Sequence, residues 1–353
     1  MSTSAEKIAD PVLLQEAEQA VTKFGFSPLK LTAIDHAKNC FYAMALNKSE
    51  KKVELFLKFT PAKIAAPTAA IDRQRWLSEQ LLANGFKQLP KYYTTADQSS
   101  LLLQNEKSWI CQSYFKSTSN YEWLKLDCSP QHAFQAGQTL ASVHNAGAKL
   151  LRKRSDLVGF NTWLRILNEF QANFARNSQE IHQSRTANQA GLESIQKLNF
   201  ERLQKKADLL VQDLIKLESA TARKTVNHGD YHPGNILFGQ NGVQAVIDWD
   251  YVCIGGGIYD LCYGLFMFTL KTAKEAKADR ELFDSRKTEC FLNGYNPGTS
   301  TVKNMQSLNL CTEFIHLLML NWACEELCRP VSVCSQNPDF DNLLTFLSYC
   351  HSA

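Results

Sequence analysis

Residues 226–238 read "VNHGDYHPGNILF" and hold two histidines, an aspartate, two asparagines, a proline and two glycines between apolar flanks. Val226 and the run Ile236–Phe238 read as core. Pro233 and Gly234 keep the middle from becoming helical, so Asp230 falls on a loop that leads to Asn235. The chain continues "FGQNGVQAVIDWD", where Asn241-Gly242 is a strong hairpin signal. It joins a strand at Ile236–Phe238 to one at Val243–Ile247. Folding that hairpin returns Asp248 towards Asn235, and two oxygen-bearing side chains then converge at one end, suited to a hard cation such as Mg²⁺.

"HGDYHPGN" resembles the catalytic loop of the aminoglycoside phosphotransferase and choline kinase superfamily, and "IDWD" resembles its second metal motif. The Asp-x-x-x-x-Asn spacing is similar to the catalytic loop of protein kinases. The resemblance implies an α+β, bilobal, protein-kinase-like fold with ATP and Mg²⁺ as cofactors. Asp230 would orient the acceptor hydroxyl and accept its proton, and Asn235 and Asp248 would hold Mg²⁺ on the nucleotide phosphates. His228 would brace the loop by hydrogen bonds rather than transfer protons. Asp260, in "YDLCYGLF", resembles the family's aspartate that starts the following helix and buttresses the loop; as a helix N-cap it also has an ordinary structural role. Phosphoryl transfer asks little covalent chemistry of a protein, and much positioning and charge neutralisation.

Working outward, residues 1–115 read as a small, mainly β lobe and 116–353 as a larger, mainly α lobe, with "FKSTSN" as the joint. "SPLKLTAID", "CFYAMAL" and "KVELFLKF" are strand-like, the last alternating with period two. A helix follows over 67–84, with Gly85 placed for a left-handed cap. "QSSLLLQN" and "SWICQSYF" are further strands. Lys58 ends the third strand as the family's phosphate-binding lysine does, and Glu79 on the next helix is the candidate to orient it; taken alone, each reads as a solvated surface charge. "WICQSYFKSTS" resembles the interlobe hinge, which implies that backbone groups near Gln112, Ser113 and Tyr114 bond adenine. Beyond Phe115, "SPQHAFQAGQTLASVHNAG" reads as a helix closed by Gly147. Residues 161–220 read as helical, with an apolar stripe through Leu203, Ala207, Leu210, Leu214 and Leu217.

Two departures stand out. "DHAKNCFYA" lacks the glycines with which protein kinases cover phosphates, though its "KNCFYAM" is similar to an N-x-x-Y pattern of the superfamily. The glycine run Gly255–Gly257 comes after the metal motif instead, and reads as a flexible structural connector. The layout, with "LLANGFKQLPKYYTT", "AGQTLASVHNAG" and "FLNGYNP", resembles the branch of CotS-like spore-coat proteins and homoserine-kinase-type enzymes.

The 353 residues and 44% hydrophobic content suffice for two lobes. A net charge of +3 gives no electrostatic support for a nucleic-acid partner. "LCYGLFMFTL", the longest apolar run, is about half the length a membrane span needs. The start of the chain lacks the pattern of a secretory signal, so a soluble protein is expected. Eleven scattered cysteines without a C-x-x-C pair read as buried thiols of a cytoplasmic protein.

The expected partner is a small hydroxylated metabolite such as an amino alcohol, an amino sugar or a homoserine-like compound. In "CTEFIHLLMLNWACEELC", Glu313, Glu325 and Glu326 are candidates to meet an ammonium group and Trp322 to offer a cation–π face; the bland alternative is a surface helix with solvated acids. Asp250 either faces the acceptor or supports a metal ligand from behind. Two other readings compete. A hydrolase metal site at His228, Asp230 and His232 leaves Asn235 and "IDWD" unexplained. A catalytically silent binding or coat protein on the same fold would have kept every expected polar group without using it.

Overall fold

The computed structural model describes residues 10–34, 39–64, 68–117, 121, 128–154, 160–183, 199–221, 223–271, 283–295 and 305–328. Part of the glycine-poor loop, the end of the "FKSTSN" joint, the last residues of "FLNGYNP" and the Glu326 side chain lie outside this description. By contacts the chain divides into Met1–Ser117 with Gln244–Ile247, and Thr118–Val243 with Asp248–Ala353.

The first unit opens with helix α1 (Pro11–Lys23), capped by the Asp10 side chain on the Val12 N–H. Five antiparallel strands follow, β1 (Ser27–Ala33), β2 (Cys40–Leu46), β3 (Lys52–Pro61), β4 (Leu102–Gln104) and β5 (Lys107–Ser113), ordered β1-β2-β3-β5-β4. Alternation sorts their faces. Leu55, Leu57 and Phe59 point with Phe41, Ala43, Ala45, Trp109 and Cys111 into a core closed by Ala17, Ala20, Val21 and Phe24 of α1. Lys58 therefore points to the other face, beside its register partners Cys40 and Ile110. Ile110 packs there against a cluster of Ile71, Tyr92 and Leu101, and Ile71 belongs to α2 (Thr68–Ala83). Gly85 (φ 103°) ends α2, with its own N–H on Leu82 O and the Phe86 N–H on Leu81 O, the glycine cap that the sequence announces.

The second unit is mainly helical. Helix α3 (Pro130–Lys153) does not stop at Gly147 but runs six residues past it. A Cβ on Gly147 would sit 2.6 Å from Val226 N and from Thr225 Oγ1. The glycine therefore marks the close passage of α3 over β7 (Thr225–Asn227), not a helix end. Strand β6 (Asn161–Thr162) leads into α4 (Trp163–Gln183), and α5 (Phe200–Ala220) follows. Ala207, Leu210 and Leu214 of the stripe are buried, while Leu203 and Leu217 are half-buried.

Strands β8 (Ile236–Gly239) and β9 (Gly242–Val246) pair as the hairpin around Asn241-Gly242. Strand β10 (Cys253–Gly255) lies between β6 and β7. The chain then forms α6 (Ile258–Thr269), α7 (Ser285–Tyr295) and α8 (Met305–Cys328). Gly255–Gly257 is not a flexible connector. Gly255 ends β10 against Trp163, the Gly256 N–H donates to buried Glu218 at 3.0 Å, and Gly257 (φ 81°) is the N-cap of α6. No described helix is long and apolar enough to cross a membrane, and no disulfide forms among the described cysteines.

Candidate active site

The site grows from β7. All three of its residues are buried, and the chain then turns through His228–His232 into a short 3₁₀ turn at Pro233–Asn235 before β8. Proline pre-sets that turn, and His232 caps it by accepting the Gly234 N–H on Nδ1 at 3.0 Å. Gly229 adopts φ 88°, and a Cβ there would lie 2.0 Å from the carbonyl oxygen of Tyr251. The loop thus rests directly on the segment that carries Asp248 and Asp250.

Asp230 is held from several sides. Tyr263 of α6 donates its hydroxyl to Oδ1 at 2.8 Å. The Asn235 amide donates to Oδ2 at 3.1 Å and to the Asp230 carbonyl at 2.9 Å. His232 Nε2 stands 3.4 Å from Oδ2. Burial alone would push this carboxyl up. The hydrogen bond and charge of His232, the Tyr263 hydrogen bond and the charge of His228 outweigh it and hold the group below its ordinary range. Asp230 is thereby kept ionised and ready to accept, with its plane fixed.

Because Asn235 spends its amide nitrogen on Asp230, the amide oxygen Oδ1 is the atom it can offer to a cation. Asp248 lies two residues beyond β9, exposed, in the left-handed region at φ 62°. Aspartate tolerates that conformation better than most residues, and strain of this kind gathers at functional sites. The Tyr251 phenol is raised by burial and then by the negative charges of Asp230, Asp248, Asp250 and Glu325, so these four carboxylates share its surroundings. Among the described residues, no group of three or more His, Cys, Asp or Glu is arranged as a metal cage. One amide oxygen and one carboxylate are a fitting donor set for Mg²⁺, which keeps waters and phosphate oxygens in its shell.

Behind the loop stands Asp260, fully buried in the first turn of α6. It is not the N-cap, a place taken by Gly257. Its carboxylate accepts the backbone N–H of His228 and, at 2.8 Å, that of Gly229. His144 of α3 contacts Oδ2 through Nε2 at 3.3 Å, and its Nδ1 meets the Tyr295 hydroxyl at 2.8 Å. His228 is fully buried, with Nδ1 accepting the Asp230 N–H at 3.3 Å and its ring 4.7 Å from that of Trp249. It faces the loop backbone and the core.

The remaining candidates divide. Lys58 has no acid within ion-pair distance among the described residues, and Glu79 pairs with Arg75 on its own helix at 3.6 Å. Glu79 is the more exposed partner at 57%, because its position on α2 turns it to solvent, so it does not orient Lys58 here. The N–H groups of Ser113 and Tyr114 are already given to Lys91 O and Glu54 O, and Gln112 lies in register with Phe56. Glu313 is exposed and faces Lys206 at 3.4 Å. Trp322 is half-buried on α8, and Asp250 is exposed. Tyr263 and His144 escaped the sequence reading, and His232 entered it only as a ligand in the competing hydrolase reading. The signal for the first was present in "YDLCY", whose helical spacing puts Tyr259, Asp260 and Tyr263 on neighbouring positions of one face.

Comparison with known proteins bears on the fold and the family. No curated protein sequence matches the chain. Among solved structures, the chain is similar to spectinomycin phosphotransferase APH(9)-Ia in complex with ADP and spectinomycin (TM-score 0.62, 13% identity, 96% of this chain and 95% of that one). It is also similar to the amicoumacin kinase hAmiN (0.59, 14%, 96% and 92%) and to choline kinase LicA from Streptococcus pneumoniae (0.55, 14%, 95% and 98%). The α+β kinase-like fold read from the sequence is therefore the observed one, whereas the CotS-like branch finds no support among these relatives. A family model described as "Phosphotransferase enzyme family" matches residues 42–288, well over half of the chain, and the protein belongs to that family.

Proposed function

We propose that this protein is an ATP- and Mg²⁺-dependent kinase of a hydroxyl on a small metabolite, with Asp230 as the residue that receives the acceptor. The observation that carries the reading is Asp230 itself, ionised, held by Tyr263 and Asn235, and sharing the surroundings of Tyr251 with Asp248. In the proposed reaction the acceptor oxygen attacks the γ-phosphorus and the bond from that phosphorus to the ADP oxygen breaks. The acceptor's proton passes to the Asp230 carboxylate and on to solvent. Asn235 Oδ1 and the Asp248 carboxylate would hold Mg²⁺, which neutralises phosphate charge when bound. Lys58 is assigned to the phosphates. With the Ser113 and Tyr114 N–H groups engaged, the adenine contacts pass to Gln112, to the carbonyls of this stretch and to the residues after Tyr114. The nucleotides named with the relatives, ADP and AMP-PNP, support ATP, and their acceptors support an amino alcohol, an amino sugar or a similar amine. A cytoplasmic setting fits the family.

A silent kinase-fold binding protein is the second reading, favoured by one observation: Lys58 lacks its expected acid partner among the described residues. One experiment separates the two. Purified protein with ATP and Mg²⁺ is offered a panel of alcohols, and ADP release is measured. Acceptor-dependent release that Asp230→Asn lowers by about 10²–10⁴ supports the kinase; nucleotide binding without release on any acceptor supports the silent protein.

A further inference from the structure

Helix α6 approaches the catalytic loop unusually closely. A Cβ on Gly264 would meet Phe291 Cζ at 2.9 Å and Tyr231 Cδ1 at 3.1 Å, so glycine at this point lets the helix sit against the residue that follows Asp230. From that position three α6 residues reach three successive loop residues. Asp260 takes the N–H groups of His228 and Gly229, the Tyr259 hydroxyl donates to Gly229 O at 3.2 Å, and the Tyr263 hydroxyl donates to Asp230 Oδ1 at 2.8 Å. The first two contacts fix backbone. Only the third touches the reacting carboxylate.

The other oxygen, Oδ2, is shared by Asn235 and His232. Without the Tyr263 hydroxyl, every donor to the carboxylate would lie on the Oδ2 side, and the group could rotate about its Cβ–Cγ bond. Tyr263 is 4% exposed and its ring lies 5.8 Å from that of Tyr259, so the phenol is locked by packing before it bonds. Such a donor orients its acceptor at little further entropic cost.

We propose that Tyr263 is a positioning residue for phosphoryl transfer, fixing the plane of the Asp230 carboxylate through Oδ1. The inference rests on the reading of Asp230 given above. Position 263 then sets how well a bound acceptor hydroxyl is aligned and leaves nucleotide affinity alone.

The test is a double-mutant cycle on the full chain, using Tyr263→Phe, Asp230→Asn and both together. ATP, Mg²⁺ and the fastest alcohol of the panel serve as substrates. Tyr263→Phe is expected to lower kcat by roughly tenfold to a hundredfold, the scale of one hydrogen bond to a charged group. KM for ATP should stay near the parent value, and the unfolding midpoint should fall by a few degrees at most. In the Asp230→Asn background the same change should cost little, because its effect runs through Asp230. An unchanged kcat for Tyr263→Phe beside a strongly impaired Asp230→Asn overturns this inference alone. So does an equal loss in both backgrounds, which marks a structural role. Full turnover by Asp230→Asn removes the underlying assignment and this one with it.

Discussion

Gly229 lies so close to Tyr251 that a Cβ on the glycine would sit 2.0 Å from the tyrosine's carbonyl oxygen. The contact presses the loop bearing Asp230 onto the backbone that follows Asp248, and its two nearest atoms belong to the Tyr251 carbonyl. Gly229→Ala therefore meets two penalties, an alanine at φ 88° and a collision with backbone that cannot swing away. The conformational part costs about 1 kcal/mol, and relief of the collision must move Asp230. We expect kcat to fall by at least about a hundredfold, as misplacement of about 1 Å does, with a lowered unfolding midpoint. Steady-state ADP release and thermal unfolding of the same preparation check both.

Asp230→Asn keeps the shape of the side chain and removes its charge. Asparagine can accept the Tyr263 hydroxyl, but it cannot take the acceptor's proton. Turnover should drop by about 10²–10⁴ while nucleotide affinity holds within a few-fold. Acceptor-dependent ADP release against a nucleotide-binding titration separates the two quantities. Preserved turnover would mean that the acceptor is activated elsewhere.

Asp248→Asn acts on a different step. Asp230 is held by Tyr263 and Asn235 and not by Asp248, so replacing Asp248 leaves those hydrogen bonds in place. The expected effect is weaker binding of Mg²⁺–nucleotide, seen as a higher Mg²⁺ requirement in a titration at fixed ATP. Nucleotide bound without the metal should hardly notice. Equal Mg²⁺ dependence in variant and parent would take Asp248 out of the metal site.

How much of this was legible in the chain depends on the range of the interaction. The N-lobe strands, the hairpin and the cap at Gly85 follow from period-two alternation and turn chemistry, which are local. The motifs "HGDYHPGN" and "IDWD" could be picked out because the residues of each are close in sequence. Gly147 misled, since a glycine near the end of a helical pattern looks like a stop signal, and its reason, the passage of Thr225 and Val226, lies far along the chain. Gly255–Gly257 misled in the same way, as its partners Trp163 and Glu218 sit on other elements. Glu79 was chosen as an acid on the helix that follows the strand of Lys58, and nothing local reveals which way a helix face is turned. Tyr263 and His144 act across 33 and 116 residues of sequence; "YDLCY" puts Tyr263 on the face of Asp260, but no local pattern names Asp230 as its partner.

Asp260 joins these long-range contacts, and its replacement makes the sharpest test of how the loop is held. Its two oxygens accept the N–H groups of His228 and Gly229, and His144 adds a third contact. Asp260→Asn keeps the size but turns an NH₂ group towards one of these donors, so one buried N–H is left without an acceptor and two donors face each other. An unsatisfied buried donor costs about 1–3 kcal/mol, and more next to a charged group. The unfolding midpoint should therefore fall by several degrees, and activity should fall with it as the loop backbone shifts. His144→Ala leaves both loop N–H groups paired, but it also removes the Tyr295 contact and opens a cavity, so its midpoint should fall as well while its activity falls clearly less. Thermal unfolding and ADP release, measured on the two variants side by side, separate stability from loop geometry. A larger loss of activity from His144→Ala than from Asp260→Asn would show that the loop is braced through α3 and not through the two backbone hydrogen bonds.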